Sequence, residues 1–94
     1  MGLGLKERAV ARGFEAEIYV RLKDGVADPQ GSTIEHALHS LEYGEVRRVR
    51  TGTYLQIELV SEDRSQAEAR VEDMCEKLLV NPVIQTYTYR LKES

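Results

Sequence analysis

The fold is framed by two proline-centred stretches, Asp28-Pro29-Gln30-Gly31 and Asn81-Pro82-Val83-Ile84. They contain the only two prolines of the chain. Before the first proline stretch apolar residues alternate with polar ones, as in a half-buried strand, and after it they recur at helical spacing. At the second proline stretch the order reverses from helix to strand. Both stretches therefore mark element boundaries, because proline has no N–H with which to extend a helix or a sheet ladder.

The residues on either side of the first proline stretch predict a strand and then a helix. Residues 14–22 alternate between apolar and polar side chains, which is the pattern of a strand with one buried face. Ser32 and Glu35 form a Ser-x-x-Glu capping box, so the helix is predicted to begin at Ser32 and to end near Gly44. Its apolar residues share one face: Ile34, Ala37, Leu38 and Leu41.

The middle of the chain predicts a hairpin followed by a second helix. Residues 46–50 and 54–60 are predicted strands, and Thr51-Gly52-Thr53 suits a tight turn between them. A second capping box at residues 65–68 predicts the start of the second helix. Since Pro82 disfavours helical backbone at the residue before it, this helix is expected to end ahead of the second proline stretch.

The last predicted strand covers residues 83–91 and carries apolar side chains on both faces. In so small a chain this pattern favours a contact between subunits. The element order is β-α-β-β-α-β, which predicts an α+β, ferredoxin-like fold with two helices on one face of an antiparallel sheet. We expect residues 14–94 to form a single domain and residues 1–13 to form a mobile N-terminal extension.

Composition narrows the classes of partner. Thirteen basic residues against sixteen acidic ones give a net charge of −3, which disfavours nucleic acid because that affinity comes from neutralising phosphates. Cys75 is the only cysteine, so an intramolecular disulfide is excluded and a reducing, cytoplasmic setting is expected. Residues 1–13 contain no apolar run long enough for a signal peptide, and we expect no membrane association.

Few residues have the spacing of a reactive or metal-binding site. His36 and His39 lie three apart on a helix, but without a third ligand they are interpreted as solvated histidines rather than as a metal site. Cys75 has no histidine near it in sequence and borders an apolar stripe, which favours a buried packing role. A phosphate-binding loop and a Ser/His/Asp set are absent from the sequence, so no cofactor and no catalytic residue are expected.

The only local basic cluster is formed by Arg47, Arg48 and Arg50. On a strand, Arg48 and Arg50 share a face while Arg47 takes the other. Such a cluster can steer an acidic partner or a phosphate. Acidic residues close in sequence favour ordinary surface ion pairs, which contribute little to stability.

Three motifs follow one another along the chain: Leu22-Lys23-Asp24-Gly25-Val26 with the first proline stretch, then Val49-Arg50-Thr51-Gly52, then Met74-Cys75-Glu76-Lys77-Leu78-Leu79-Val80 leading into the second proline stretch. Taken in this order, they resemble the PurS family, the small subunit of phosphoribosylformylglycinamidine synthase. The resemblance runs from about Glu15 to Leu91, and the chain departs from the family pattern at Thr53, Val80 and Gln85.

The resemblance implies a role in purine biosynthesis. In the PurS family's enzyme, glutamine-derived ammonia and ATP convert formylglycinamide ribonucleotide to its amidine. A glutaminase subunit (PurQ) releases the ammonia and a synthetase subunit (PurL) binds ATP and substrate. The small subunit is then expected to bridge the two as a homodimer or homotetramer and to assist ammonia transfer, with no catalytic residue of its own.

The predicted site residues fall into two groups. Gln30 is a candidate partner contact, because neither a proline turn nor a helix cap demands glutamine at that position. Four further residues are candidate contacts, from the basic cluster and the last strand: Arg48, Arg50, Tyr87 and Tyr89. The remaining motif residues are expected to serve local geometry; they are Asp28, Pro29, Gly31, Asn81 and Pro82.

Two other functions fit the same element order. A free-standing regulatory module of ferredoxin-like fold would bind a small metabolite between subunits, and it remains the alternative. An RNA-binding module would need aromatic stacking residues on its third strand. Residues 54–59 offer one aromatic and a glutamate there, and the chain is acidic, so this reading is set aside.

Overall fold

The computed structural model describes residues 11–94, which form three strands and two helices. The second helix continues directly into a π-helical turn at Cys75–Leu79. The extension predicted for residues 1–13 lies largely outside the described residues, and its last two members already belong to the first strand. The elements are β1 (Arg12–Leu22), α1 (Pro29–Ser40), β2 (Gly52–Ser61), α2 (Arg64–Met74) and β3 (Gln85–Glu93).

The strands form one antiparallel sheet in the order β2-β1-β3. Strand β1 pairs along both edges, so that Ile18 lies opposite Leu55 of β2 and Tyr89 of β3. The alternation predicted for β1 is confirmed, because its apolar face is the core of the molecule. Phe14, Ala16 and Ile18 are all fully buried there.

Helix α2 and the π-helical turn that continues it cover this apolar face with Ala67, Val71 and Cys75, which recur every four residues and are fully buried. Its N-cap is Asp63, whose carboxylate accepts a hydrogen bond from the Gln66 N–H at 2.8 Å. The cap predicted at residue 65 is therefore wrong by two positions. The helical region ends before Val80, as expected.

The opposite face of the sheet is open and polar. Lys92 Nζ lies 3.5 Å from a Glu17 carboxylate oxygen and 3.8 Å from one of Glu15. The Tyr54 hydroxyl donates to Glu17 at 3.2 Å, and the rings of Tyr54 and Tyr19 are 5.2 Å apart. Strand β3 thus has one face under α2 and one polar face, which corrects the prediction of two apolar faces.

Helix α1 extends away from the sheet. Gly31 is its only buried residue, and its apolar stripe is exposed, with Ile34 39% and Leu41 67% accessible. The predicted α+β class, an antiparallel sheet with two helices, is confirmed. Within one chain, however, only α2 of the two helices covers the sheet.

The hairpin predicted between residues 46–50 and β2 is wrong. Residues 46–50 form no strand pair and return alongside α1, with His39 Nε2 donating to the Val46 carbonyl at 2.7 Å. The Val46 carbonyl thus accepts a hydrogen bond from a helix side chain instead of from a neighbouring strand. We call residues 29–50 the arm, since they leave and rejoin the sheet at the same end.

We expect Phe14→Ala to lower the free energy of unfolding by about 3–5 kcal/mol, because it removes a ring that is fully buried under α2. Urea unfolding at a fixed chain concentration measures the change. Val60→Ala is the control: Val60 is 71% exposed on β2, so its truncation should change the free energy by less than about 0.5 kcal/mol. Equal effects of the two variants would contradict the assignment of the core.

Candidate functional site

The two proline stretches meet at one end of the sheet. Lys23, the residue after β1, donates its backbone N–H to the Ile84 carbonyl at 2.8 Å and its Nζ to the Pro82 carbonyl at 2.6 Å. The arm departs from β1 and returns to β2 at this same end. We call this region the proline end, comprising residues 20–31, 50–53 and 80–87, and it contains most of the residues predicted from the sequence motifs.

Asp28 joins the two ends of the arm. Its Oδ1 accepts hydrogen bonds from the Gly31 N–H and the Thr51 hydroxyl, both at 2.9 Å, and its Oδ2 accepts the Thr51 N–H at 2.7 Å. Asp28 is thus the N-cap of α1, which starts at Pro29, and the cap predicted at Ser32 is wrong. The Thr51 and Gly31 N–H groups hold the pKa of Asp28 below its usual value.

Gly31 is required by the close approach of the returning chain. A Cβ at this position would collide with the backbone carbonyl oxygen of Val49 and would crowd the Asp28 carboxylate. A structural role was predicted for Asp28, Pro29 and Gly31. In the structure Asp28 caps α1, Pro29 is its first residue, and Gly31 leaves room for the returning chain. Sequence reasoning missed Thr51, which it assigned to a hairpin turn, although Thr51 lies within a motif that it had singled out.

Arg50 and Arg48 differ in their surroundings. Arg50 lies 3.0 Å from the Asp24 carboxylate and donates to the Leu22 carbonyl at 2.7 Å, so it fastens the arm to the end of β1. Arg48 is exposed and has no ion pair among residues 11–94. Because residues 46–50 are not a strand, the shared strand face predicted for these two arginines does not exist.

The second proline stretch is a closed turn. The Asn81 side-chain oxygen accepts the Val83 N–H at 3.1 Å, and its carbonyl accepts the Gln85 N–H at 2.7 Å. In return Gln85 Oε1 accepts the Asn81 N–H at 2.8 Å. The structural role predicted for Asn81 and Pro82 agrees with this geometry, which directs the chain from α2 into β3.

Two adjacent cavities open at the proline end. The larger, of about 440 Å³, is lined by apolar residues that include Val20 and by polar residues that include Gln30 and Thr53. The smaller, of about 250 Å³, is lined by Pro82 and Tyr87 among others, and Gln85 lines both. The Gln30 side chain has no hydrogen-bond partner within residues 11–94. Two positions at which the chain departs from the PurS pattern, Thr53 and Gln85, thus lie in the same cavity as Gln30.

Tyr87 and Tyr89 lie on the face of β3 that α2 covers. The Tyr89 hydroxyl donates to Glu72 of α2 at 2.7 Å, and the two tyrosine rings stack with centroids 6.4 Å apart. Burial, together with the Glu72 hydrogen bond, raises the pKa of Tyr89. Both rings pack against the core of their own chain. Tyr87 also lines the smaller cavity. A partner contact through these two tyrosines stays a prediction.

The remaining candidate groups are engaged or buried. His39 is bonded to the Val46 carbonyl, and residues 11–94 contain no group of three or more potential metal ligands. Burial raises the pKa of the Cys75 thiol, in agreement with the packing role predicted for it. Among the described helices, none has the length and hydropathy of a membrane span.

A family model for PurS, described as phosphoribosylformylglycinamidine (FGAM) synthase, matches residues 15–93. This chain belongs to the PurS family. The PurS subunit of phosphoribosylformylglycinamidine synthase from Bacillus subtilis is 46% identical over 80 residues, which cover 85% of this chain and 94% of the relative. The predicted family is therefore confirmed.

Solved structures of PurS proteins have the same fold. The B. subtilis PurS structure aligns with a TM-score of 0.76 at 46% identity, covering 85% of this chain and 99% of that one. A Thermotoga maritima PurS aligns with a TM-score of 0.81 at 34% identity, covering 87% and 94%. A chain of the T. maritima PurLQS structure aligns with a TM-score of 0.79 at 35% identity, covering 85% and 98%.

We expect Asp28→Asn to lower the melting temperature by roughly 5 °C at pH 7. The two carboxylate oxygens of Asp28 accept three hydrogen bonds, whereas the asparagine amide has only one acceptor oxygen. The pKa of Asp28 is lower in the folded chain than in the unfolded one, so the ionised carboxylate contributes fully to folding stability above about pH 4. The contribution is lost as the pH falls through the folded pKa. The difference in melting temperature between the parent protein and Asp28→Asn should therefore become smaller below pH 4, and thermal unfolding across pH 2–7 measures it.

Asp63→Asn is the matched control for this pH series. Asp63 also caps a helix but accepts a single backbone hydrogen bond, from Gln66, which an asparagine oxygen can accept equally well. Its melting temperature should stay close to that of the parent protein. An Asp28→Asn effect no larger than that of Asp63→Asn would show that Thr51 is not held by the carboxylate.

Proposed function

We propose that this protein is the PurS subunit of a phosphoribosylformylglycinamidine synthase and bridges its glutaminase (PurQ) and synthetase (PurL) subunits in the cytoplasm. The complex uses ATP and glutamine to convert formylglycinamide ribonucleotide to its amidine in purine biosynthesis, and PurS works there as a homodimer or homotetramer. The family match across residues 15–93 carries the proposal. The similarity to a chain of a PurLQS structure supports the assignment of partners.

The chemistry of the proline end suits an accessory subunit. Asp28 is the only carboxylate that lines the larger cavity, and its oxygens already accept three hydrogen bonds. Its low pKa makes it a poor proton acceptor at neutral pH. The Cys75 thiol is buried and its pKa is raised, which disfavours a thiolate nucleophile. The cavity therefore offers shape and hydrogen bonds rather than a reactive group.

Gln30 is the proposed partner contact within this cavity. Its backbone belongs to the first turn of α1, where the Asp28 bonds and Pro29 hold it in place. Its side chain carries both a donor and an acceptor, and the residue lines the cavity. Because its backbone is already fixed, Gln30 would lose little conformational entropy on binding. Its free amide side chain is therefore suited to a specific hydrogen bond across an interface.

The alternative of a free-standing metabolite-binding module is not favoured. A cavity of about 440 Å³ has the volume of a small-ligand site. The relatives described above, however, are named as subunits of one enzyme. We therefore propose that this cavity binds side chains of a neighbouring subunit.

We expect Gln30→Ala to weaken assembly with PurL and PurQ by roughly 3–10-fold, the loss of about one interfacial hydrogen bond. In the reconstituted complex, glutamine-dependent turnover at limiting PurS should fall in proportion, while ammonia-dependent turnover should stay unchanged. Titrating the small subunit into the two partners, with glutamine and then with ammonium as nitrogen donor, measures both.

Gln56→Ala is the control for this titration, since Gln56 is exposed on β2 and lies outside the proline end. It should assemble and support turnover like the parent protein. If Gln30→Ala behaved in the same way, the contact through Gln30 would be excluded. If the parent protein neither bound the partners nor restored glutamine-dependent turnover, the bridging function itself would be wrong.

A further inference from the structure

Strand β3 has one unpaired edge within the part of the chain that the structure describes. The sheet order β2-β1-β3 places it at a border, where it pairs with β1 alone. The Lys23 N–H donates to the Ile84 carbonyl and continues the register of this pairing, so the even-numbered residues of β3 face β1. Backbone groups of successive strand residues point to opposite sides. The odd-numbered residues of β3 therefore direct their N–H and C=O groups away from the sheet.

One outward group at each end of β3 is already bonded. At the start, the Gln85 N–H donates to a carbonyl of the preceding turn at 2.7 Å. Near the other end, the Arg64 guanidinium donates to the Leu91 carbonyl. Between them, the outward backbone groups of Tyr87 and Tyr89 have no such partner within residues 11–94. These two residues offer two donors and two acceptors to an added strand.

This part of the edge lacks the features that protect edge strands. Residues 85–89 contain no proline and no charged side chain, and they pair with β1 without a bulge. The charged residues Arg90 and Lys92 follow only further along the strand. The smaller cavity of about 250 Å³ opens beside the same residues, lined by Tyr87 and Glu76 among others. An added strand would therefore find both backbone partners and room for a side chain.

Glutamates of α2 and its π-helical turn follow this edge. Glu72 accepts the Tyr89 hydroxyl, and Glu76 lines the smaller cavity together with Tyr87. Four residues along a helix advance about 6 Å and two residues along a strand about 6.7 Å, so each glutamate is matched to one tyrosine. Burial raises the pKa of Tyr87, and the charges of Glu72 and Glu76 add to the effect. Both carboxylates thus act on the rings beside the open edge.

The negative charge of these two glutamates is not compensated nearby. Glu72 and Glu76 are exposed and form no ion pair within residues 11–94. Lys23 also lines the smaller cavity, but its ammonium donates to the Pro82 carbonyl at 2.6 Å. An incoming strand with Lys or Arg at alternate positions would complement both carboxylates, whereas an acidic strand would be repelled.

We propose that the outer edge of β3 at Tyr87 and Tyr89 binds an extended, basic segment of a partner subunit, which adds a fourth strand to the sheet. The backbone of the segment bonds to the free groups of the two tyrosines, and two alternate Lys or Arg side chains face Glu76 and Glu72. The Arg64 side chain limits the added strand to the first half of β3. The proposal rests on the bridging function, and it assigns the predicted contact at the two tyrosines to their main chain.

A second copy of this chain does not match the edge. Twofold pairing of β3 with the β3 of another copy would bring two identical rows of glutamates side by side. The residues of β3 on the α2 side are Gln85, Tyr87, Tyr89, Leu91 and Glu93, which include no base. The charge pattern therefore selects a different chain.

Hydrogen exchange at single amides tests the occupation of the edge. In the isolated protein the Tyr87 and Tyr89 amides should exchange fast, and those of Thr86 and Thr88, which face β1, should exchange slowly. In the complex reconstituted with PurL and PurQ, the two tyrosine amides should slow by roughly 10-fold or more, while the threonine amides change little. Exchange in the complex, quenched and then read by NMR of the ¹⁵N-labelled small subunit in dimethyl sulfoxide, measures all four.

Charge reversal tests the chemistry of the segment. Glu76→Lys should weaken assembly with PurL and PurQ by roughly 10-fold, because it sets a like charge against the incoming base. Added salt should narrow the difference from the parent protein, since the interaction is screened. Glu62→Lys is the matched control: Glu62 is exposed, forms no ion pair within residues 11–94, and follows β2 at the opposite end of the sheet. It should assemble like the parent protein.

Three results would overturn the edge contact: tyrosine amides that stay fast in an assembled complex, tyrosine amides that are already slow in the isolated protein, or equal assembly of Glu76→Lys and Glu62→Lys. The second result would place a second copy or residues 1–10 on the edge, and deletion of residues 1–10 would separate these two. A parent protein that does not assemble would overturn the bridging function together with the edge contact. Fast tyrosine amides in an assembled complex with glutamine-dependent turnover would overturn the edge contact alone.

Discussion

The carboxylate of Asp28 accepts hydrogen bonds from Gly31 in the first turn of α1 and from Thr51, which lies 23 residues after Asp28 and directly before β2. One side chain thereby caps a helix and closes the arm. Because both oxygens are in use, the arm has a fixed base, and the direction of α1 follows from it. Gly31 permits the close approach that these bonds need, and Arg50 reinforces it from the β1 side. The geometry of the larger cavity depends on the same bonds, since Asp28 and Thr51 both line it.

The second proline stretch performs the corresponding task for α2 and β3. The Val80 N–H reaches back to the Cys75 carbonyl across a widened π-helical turn, and the backbone then becomes extended at Val80. The mutual bonds of Asn81 and Gln85 close the turn. Lys23 ties this turn to the end of β1, so both turns are anchored on the same strand terminus. The proline end is therefore a junction at which three chain segments are hydrogen-bonded to one another.

Sequence patterns predicted the parts of this structure that depend on local periodicity. The alternation of β1, the stripe of α2 and the stop before Pro82 each report burial or backbone restriction within a few residues. The start of α1 was misplaced because Ser32 and Asp28 are both acceptable caps, and only the distant Thr51 decides between them. The pairing of residues 46–50 failed for the same reason: a β-forming composition does not say whether a strand or a helix lies alongside. The role of Thr51 and the cavity around Gln30 arise from contacts across the chain, which a local pattern does not encode.

The uncovered helix and the proposed bridging function can be traced to the same physical feature. A domain of this size buries only part of the surface of its chain, so a sheet covered by one helix instead of two leaves substantial apolar area to be covered by another chain. If a second copy provides that cover, twofold symmetry gives the dimer two proline ends, each with its own cavity and its own Gln30. A bridge needs at least two contact sites, and a chain with a single proline end obtains the second one by pairing. The proposed self-association and the proposed joining of two different subunits would then both follow from one feature, the arm that Asp28 holds away from its own sheet.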